Sequence, residues 1–184
     1  DDANLLYIDK IFHEVDRIDD ILIKLLNASK RPHFDPESLV VTDVIDKVLD
    51  AFSAQVEAQN ISVARDYAPE PPPIMADPDE IEQVFSNLFS NSIYAMPDGG
   101  QLSISFDYDD GGIYVVVSDT GGGIPPENLN TIFDPFFTTK EKGTGFGLSV
   151  VLRIVKAYGG KISVDSTPGY GTTFNIRLPL TQRD

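Results

Sequence analysis

Cysteine is absent from these 184 residues, which removes disulfides, thiolate metal sites and thiol nucleophiles at once. That absence fits a reducing compartment. Histidine is scarce, with only His13 and His33, so a histidine-rich metal centre is excluded as well. Cationic side chains are few: 14 Lys and Arg against 29 Asp and Glu leave a net charge of −15 and a pI near 4.3. A surface of that sign repels phosphate backbones and anionic lipid, so neither nucleic acid nor a membrane surface is an expected partner. It also means that a polyanionic ligand would need a metal ion and a few well-placed cations. No apolar run approaches the ~20 residues of a bilayer-crossing helix, and no signal-peptide pattern opens the chain. Direct membrane insertion is therefore not expected. What is present is ordinary for a globular protein, with 41% hydrophobic and 23% charged residues. The length suits one domain with a real core plus an appendage. Asp1-Asp2-Ala3 reads as a boundary inside a larger protein.

Residues 4–29 carry Leu5, Ile8, Ile11, Phe12, Val15, Ile18, Leu22, Leu25 and Leu26 at three- and four-residue steps, without Gly or Pro. This spacing predicts a long amphipathic helix with a bundle-like seam, ended by Pro32. After a linker at 32–38, a strand is expected at 39–41 and a helix from 43 to 58 with Thr42 as its N-cap. Ile61 to Tyr67 and Ile74 to Ala76 read as strands on either side of a proline-rich loop. A helix capped around Asp77 to Asp79 closes at Pro97-Asp98-Gly99-Gly100. Strands follow at 101–107 and 112–118, joined by a tight turn. Gly121 to Thr144 reads as one long mobile segment. A helix at 146–158 stops at Gly159-Gly160, and 161–166 with 172–178 form a final hairpin. The expected class is α+β, a two-layer sandwich of a mixed sheet with helices on one face, preceded by the long N-terminal helix.

Chemistry concentrates in a few places. Within the helix before Pro97, Ile81, Val84, Phe85, Leu88, Ala95 and Met96 mark an apolar stripe. Asn87 and Asn91 stand four residues apart on its margin, pointing the same way. Amides beside a core cost stability unless something bonds them, and a neutral amide oxygen suits a hard cation such as Mg²⁺ that brings phosphate ligands. Asp119-Thr120-Gly121-Gly122-Gly123-Ile124-Pro125 begins where a strand runs out. A carboxylate there can accept from an exocyclic amine while glycines let the backbone approach a flat ring; an Asx turn opening a loop is the other reading. Gly143-Thr144-Gly145-Phe146-Gly147-Leu148-Ser149 opens a helix, whose free N–H groups make a phosphate site or a plain loop-to-helix entry. Phe133, Phe136 and Phe137 call for burial, so that end of the loop should be docked. Lys140 and Lys142 follow, either reaching a phosphate or simply solvated.

In this fixed order, and with Gly169-Tyr170-Gly171-Thr172-Thr173-Phe174 behind them, these motifs closely resemble the catalytic and ATP-binding domain of sensor histidine kinases. Those belong to the GHKL, or Bergerat-fold, ATPases. The resemblance covers about residues 38 to 180. It implies a catalytic ATP-binding domain at 39–184, with ATP and Mg²⁺ as cofactors. By this likeness Asn91 is the metal ligand and Asn87 lies near the phosphates. Asp119 reads the adenine amino group beside Thr172, and Gly121, Gly123 and Ile124 line the ring. Residues 131–145 form a short lid in which Lys140 neutralises the γ-phosphate. Thr144, Gly145, Phe146, Gly147 and Leu148 serve the phosphates, and Tyr94 borders the pocket or is simply a half-exposed helix residue. The implied partners are the dimerisation and phosphoacceptor helical hairpin of the same kinase and a response regulator receiver domain. The implied location is cytoplasmic, alone or as the cytoplasmic part of a membrane-bound sensor.

Two competitors share the motifs. An ATP hydrolase of this superfamily resembles its relatives in placing a glutamate four residues before the metal asparagine. Here that place holds Asn87, and an amide takes no proton near neutral pH. A noncatalytic nucleotide-sensing module is the other, against which the intact motifs argue. The acceptor histidine is a separate matter. His13-Glu14 tempts the eye, but only about 25 residues, roughly 40 Å of helix, separate His13 from Leu39, with no turn signal between. Residues 1–31 instead resemble the second helix of the acceptor hairpin, with Glu14 and Arg17 in its pattern. Incubated alone with labelled ATP and Mg²⁺, the chain is expected to gain no acid-labile phosphate. Label on His13 would overturn that expectation.

Overall fold

Alternating and helical apolar spacings divide the chain into elements, and the core forms where their apolar sides meet. In the computed structural model, which describes residues 36–140 and 143–180, the elements follow in order. They are β1 (Glu37–Leu39), α1 (Val41–Ala51), α2 (Ser53–Ala58), β2 (Ile61–Tyr67), β3 (Ile74–Ala76) and α3 (Pro78–Ala95). Then come β4 (Gly100–Asp109), β5 (Gly112–Asp119), a 3₁₀ turn (Pro126–Asn128), α4 (Gly147–Ala157), β6 (Lys161–Thr167) and β7 (Gly171–Leu178). The expected N-terminal helix, His13, His33 and Lys142 lie outside the described residues.

Five strands form one mixed sheet in the order β2-β4-β5-β7-β6, with β2 parallel to β4 and the other pairs antiparallel. Every second residue faces the helices: Leu102, Ile104 and Phe106, then Ile113, Val115 and Val117, then Phe174, Ile176 and Leu178 are all buried. The fold is thus α+β with a mixed sheet, as the spacing implied. One difference is that β1 and β3 pair only with each other, as a separate antiparallel ribbon.

The helix α3 is the centre of the helical layer. Asp77 caps it by accepting the Asp79 amide at 2.9 Å, Pro78 occupies its first turn, and Asp79 and Glu80 favour its positive end. Ile81, Val84, Phe85, Leu88, Phe89 and Ile93 bury its apolar face against the sheet, α1 and α4. Each such side chain contributes about 1.5–3 kcal/mol relative to exposure. A polar clasp ties its start to the end of α4. The Tyr158 hydroxyl donates to Glu80 Oε2 at 2.8 Å and accepts the Asp77 amide at 2.9 Å, while Arg153 Nη1 lies 3.8 Å from Glu80 Oε1. Burial and the neighbouring carboxylate push the Tyr158 phenol well above its ordinary pKa, so it stays a donor.

Several boundaries differ from expectation. The first strand lies at 37–39 rather than 39–41, and the helix after it starts at Val41, with Val40 in the cap position and no side-chain cap. Thr42 is buried inside the first turn instead of capping it. The single helix expected at 43–58 breaks at Phe52, where Ser53 Oγ takes the Asp50 carbonyl at 2.7 Å and competes with the helical ladder. The segment from Gly121, expected to be mobile apart from a docked phenylalanine end, is also tied down at its start. Gly122 N donates to Ala95 O, Gly169 N to Gly122 O, and a helical turn at Asn128 brings Ile132 into the core. Leu88→Ala is expected to lower stability by about 2–5 kcal/mol in urea unfolding, whereas Tyr170→Ala, at an exposed turn, should stay within about 0.5 kcal/mol.

Candidate functional site

Strand alternation brings Asp119 to the same inner side as Val115 and Val117, at the very end of β5. The register sets it between Leu102 of β4 and Thr172 of β7. Only 5% of its surface is exposed. A carboxylate in that position survives by accepting hydrogen bonds. Oδ1 accepts the amides of Gly121 at 3.0 Å and Thr172 at 3.3 Å, and Oδ2 accepts the Ser92 hydroxyl at 2.9 Å. Burial raises its pKa above the ordinary carboxylate value, and these three donors pull it part of the way back.

The glycines after Asp119 have a structural cause beside any ligand. A Cβ on Gly121 would stand 2.6 Å from the Ala95 carbonyl, and one on Gly123 would stand 2.3 Å from that of Thr167. The loop is thereby drawn against both the end of α3 and the β6–β7 turn. Ile124 packs on the core, and its amide donates to Ser166 Oγ at 2.8 Å. Ser166 Oγ in turn lies 2.8 Å from Gly171 O and 3.0 Å from Thr172 Oγ1.

The second cluster lies along the margin of α3. Asn87 and Asn91 are both half-buried, as helical spacing implied. Asn87 Nδ2 donates to Gln83 O at 2.8 Å, and its Oδ1 faces the start of α4, where a Cβ on Gly147 would approach within 2.9 Å. Asn91 Oδ1 accepts Lys140 Nζ at 2.7 Å, and that ammonium also lies 4.3 Å from the ring centre of Tyr94. Lys140 is therefore docked rather than solvated, and burial lowers its pKa from the ordinary lysine value. Tyr94 is 58% exposed and supplies one side of this corner. Ser92, next to Asn91 in the chain, joins this cluster to the one at Asp119. Among the described residues no three His, Cys, Asp or Glu side chains converge. A hard cation would depend on the Asn91 oxygen, which already accepts a cationic group, and on oxygens carried by its ligand.

The approach to α4 completes the site. Thr144 and Gly145 are half-buried, and Phe146 is buried at the helix entry, followed by Gly147 and a partly buried Leu148. The first turn of α4 has no side-chain cap and no acidic residue, so its amide end is electrostatically open to an anion. Of the three loop phenylalanines, Phe133 and Phe137 pack against the core, but Phe136 remains 65% exposed. Its left-handed backbone (φ 71°) turns it away from the core, edge-on to Phe146 with ring centres 4.6 Å apart.

Two polar residues of this site escaped the sequence reading. Ser92 sits four residues after Leu88 on the apolar stripe of α3, and a hydroxyl in that place was a signal of a buried partner. Ser166 occupies an inner position of β6 by alternation with Ile162 and Val164, and carried the same signal.

Residues 76–182 match the family model described as "Histidine kinase-, DNA gyrase B-, and HSP90-like ATPase". Sporulation kinase E of Bacillus subtilis is 35% identical over 96% of this chain and 24% of its own length. The sensor histidine kinase ZraS of Escherichia coli is 37% identical over 93% of this chain and 37% of its own length. The chain thus spans only about a quarter to two fifths of these curated relatives. A solved structure of the histidine kinase ThkA, in complex with the response regulator protein TrrA, superposes with a TM-score of 0.80. It is 29% identical and covers 96% of this chain and 51% of that one.

The buried carboxylate makes a stability prediction. Because the folded-state pKa of Asp119 is raised, its contribution to stability is greatest below the ordinary value of 3.8 and is lost as pH rises through the folded value. At neutral pH, Asp119→Asn is expected to melt at or above the temperature of the native chain. Its advantage should shrink as pH is lowered toward 3.8. Thermal melts across that range decide the matter; a native chain that gains on the variant as pH rises contradicts the assignment.

Proposed function

We propose, on the premise that this chain belongs to the family of histidine kinase-, DNA gyrase B- and HSP90-like ATPases, that it is the catalytic half of a protein histidine kinase. It binds ATP with Mg²⁺ and presents the γ-phosphate to a histidine on a helical hairpin of the same kinase. The observation that carries the choice of kinase over ATP hydrolase is Asn87. Its amide is spent on the Gln83 carbonyl and offers no base for water. An acceptor imidazole needs none, because its nitrogen lone pair is itself the nucleophile.

Each residue then has a physical task. Asp119 accepts the adenine amino group with the lone pair left over from its three donors. Gly121, Gly123 and Ile124 keep the adjacent wall close. Asn91 offers its amide oxygen to the metal, and Lys140, which shares that corner, turns to the γ-phosphate. The backbone of Thr144 to Leu148 and the positive end of α4 face the phosphate chain. Bound Mg²⁺ supplies charge neutralisation across the phosphates. In the transfer itself a nitrogen–phosphorus bond forms as the bond to the β-phosphate oxygen breaks, releasing ADP. Orientation and exclusion of water by the lid are the contributions of this domain. On the same reading residues 1–31 belong to the acceptor hairpin, the linker expected at 32–38 ends where β1 begins at Glu37, the phosphohistidine serves a response regulator receiver domain, and the kinase works in the cytoplasm.

Supplied with the separate acceptor hairpin, the chain is expected to phosphorylate it. Asn91→Ala should lower transfer at least about tenfold while leaving metal-free ATP affinity nearly unchanged. Asp119→Asn should weaken ATP about tenfold or more by calorimetry, the loss of one charge-assisted bond. ATP binding without any transfer in trans would replace the kinase reading with a nucleotide-sensing module.

A further inference from the structure

Proton counting at the end of β6 leads to a specificity determinant. A serine hydroxyl has one hydrogen and two lone pairs. Ser166 Oγ is 2.8 Å from the Gly171 carbonyl, which can only accept, so the serine hydrogen is spent there. The Ile124 amide at 2.8 Å can only donate and takes one lone pair. The remaining contact, 3.0 Å to Thr172 Oγ1, must then be a bond in which Thr172 donates. The hydroxyl proton of Thr172 is thereby turned toward β6, and its oxygen keeps only lone pairs for anything else.

Thr172 lies beside Asp119 in the β5–β7 register, on the same inner face, and its amide already binds Asp119 Oδ1. Asp119 is likewise left only with acceptors, since its own three bonds are all received from neutral donors at Gly121, Thr172 and Ser92. We infer that Ser166 is a positioning residue that holds the Thr172 hydroxyl proton inward, making this end of the pocket acceptor-only and so selecting a 6-aminopurine over a 6-oxopurine. The inference rests on the reading that this pocket holds the base of ATP. A 6-amino group presents hydrogens to such a wall. A 6-oxo group presents a third acceptor to two others and leaves buried lone pairs facing each other, which is where discrimination between isosteric ligands becomes large. Were the Thr172 hydroxyl free to rotate, it could donate to the 6-oxo group and relieve part of that penalty.

The test uses ATP and inosine triphosphate, which share ribose and phosphates and differ only at the C6 and N1 edge of the base. Dissociation constants with Mg²⁺ are measured by calorimetry for the native chain, Ser166→Ala, Ser166→Thr, Thr172→Val and the double variant Ser166→Ala/Thr172→Val. The native preference for ATP is expected to fall about fivefold or more in Ser166→Ala, the size of one net hydrogen bond. It should stay near the native value in Ser166→Thr, which keeps the hydroxyl. The fall must also depend on Thr172, so Ser166→Ala should change nothing when made in the Thr172→Val chain. A role confined to closing the hairpin and holding Ile124 would weaken both nucleotides alike. An unchanged ratio in Ser166→Ala, or the same fall with Val at 172, overturns the inference while leaving the ATP site intact. A native chain that binds neither nucleotide overturns both.

Discussion

The antiparallel register of β5 on β7 is the constraint from which the site follows. Side chains alternate across a strand, so a slip of one residue would turn Asp119 and Thr172 outward and bring Ser118 and Thr173 in. The core prevents it. Val115, Val117, Phe174 and Ile176 share the inner face with the two polar residues, and burying them locks the register. An apolar core thus sets a charged group to within hydrogen-bond distance of three donors that come from three separate segments. Burying that carboxylate works against stability, and the same burial removes the water that would otherwise compete for its lone pair.

Much of this arrangement was legible in the chain because period and punctuation agree. α3 carries a helical stripe, an aspartate cap and a proline stop, and it spans residues 78–95 as its pattern implies. The pair Asn87 and Asn91 could be placed on one margin from spacing alone. The strands at 100–109 and 112–119 follow from alternation and a tight turn. Misreadings occurred where local chemistry competes with period. Ser53 breaks a helix by bonding a backbone carbonyl, and Thr42, a good cap by type, is needed as packing in the first turn. Composition also misled over Gly121 and Gly123. A glycine-rich stretch reads as freedom, but here the glycines permit close approach to the Ala95 and Thr167 carbonyls and so tie the loop down. The positions of Ser92 and Ser166 on inner faces signalled a buried partner, but a small hydroxyl says nothing about which distant segment it will meet.

Charge is the second organising fact. With a net charge of −15, a polyanion would meet an unfavourable field over most of the surface. The corner at Asn91 is an exception, since Lys140 stands there between an amide oxygen and an aromatic face. The uncapped start of α4 is another, because Asn87 rather than an acid stands beside Gly147. Local attraction must therefore outweigh global repulsion, and it does so only at short range, within about 8–10 Å at ordinary salt.

The clasp between Tyr158 and Glu80 has a mechanical consequence. α4 is bolted at its far end to the base of α3 by a buried phenol–carboxylate bond and an arginine, while its other end begins after Gly145 and Phe146 with no side-chain cap. The two ends are thus held by unlike forces, the root by directional polar bonds and the tip by burial of Phe146 and its edge-on contact with Phe136. Apolar contact tolerates small sliding that would break a hydrogen bond, so the hinge of any adjustment in this helix is set by its polar root.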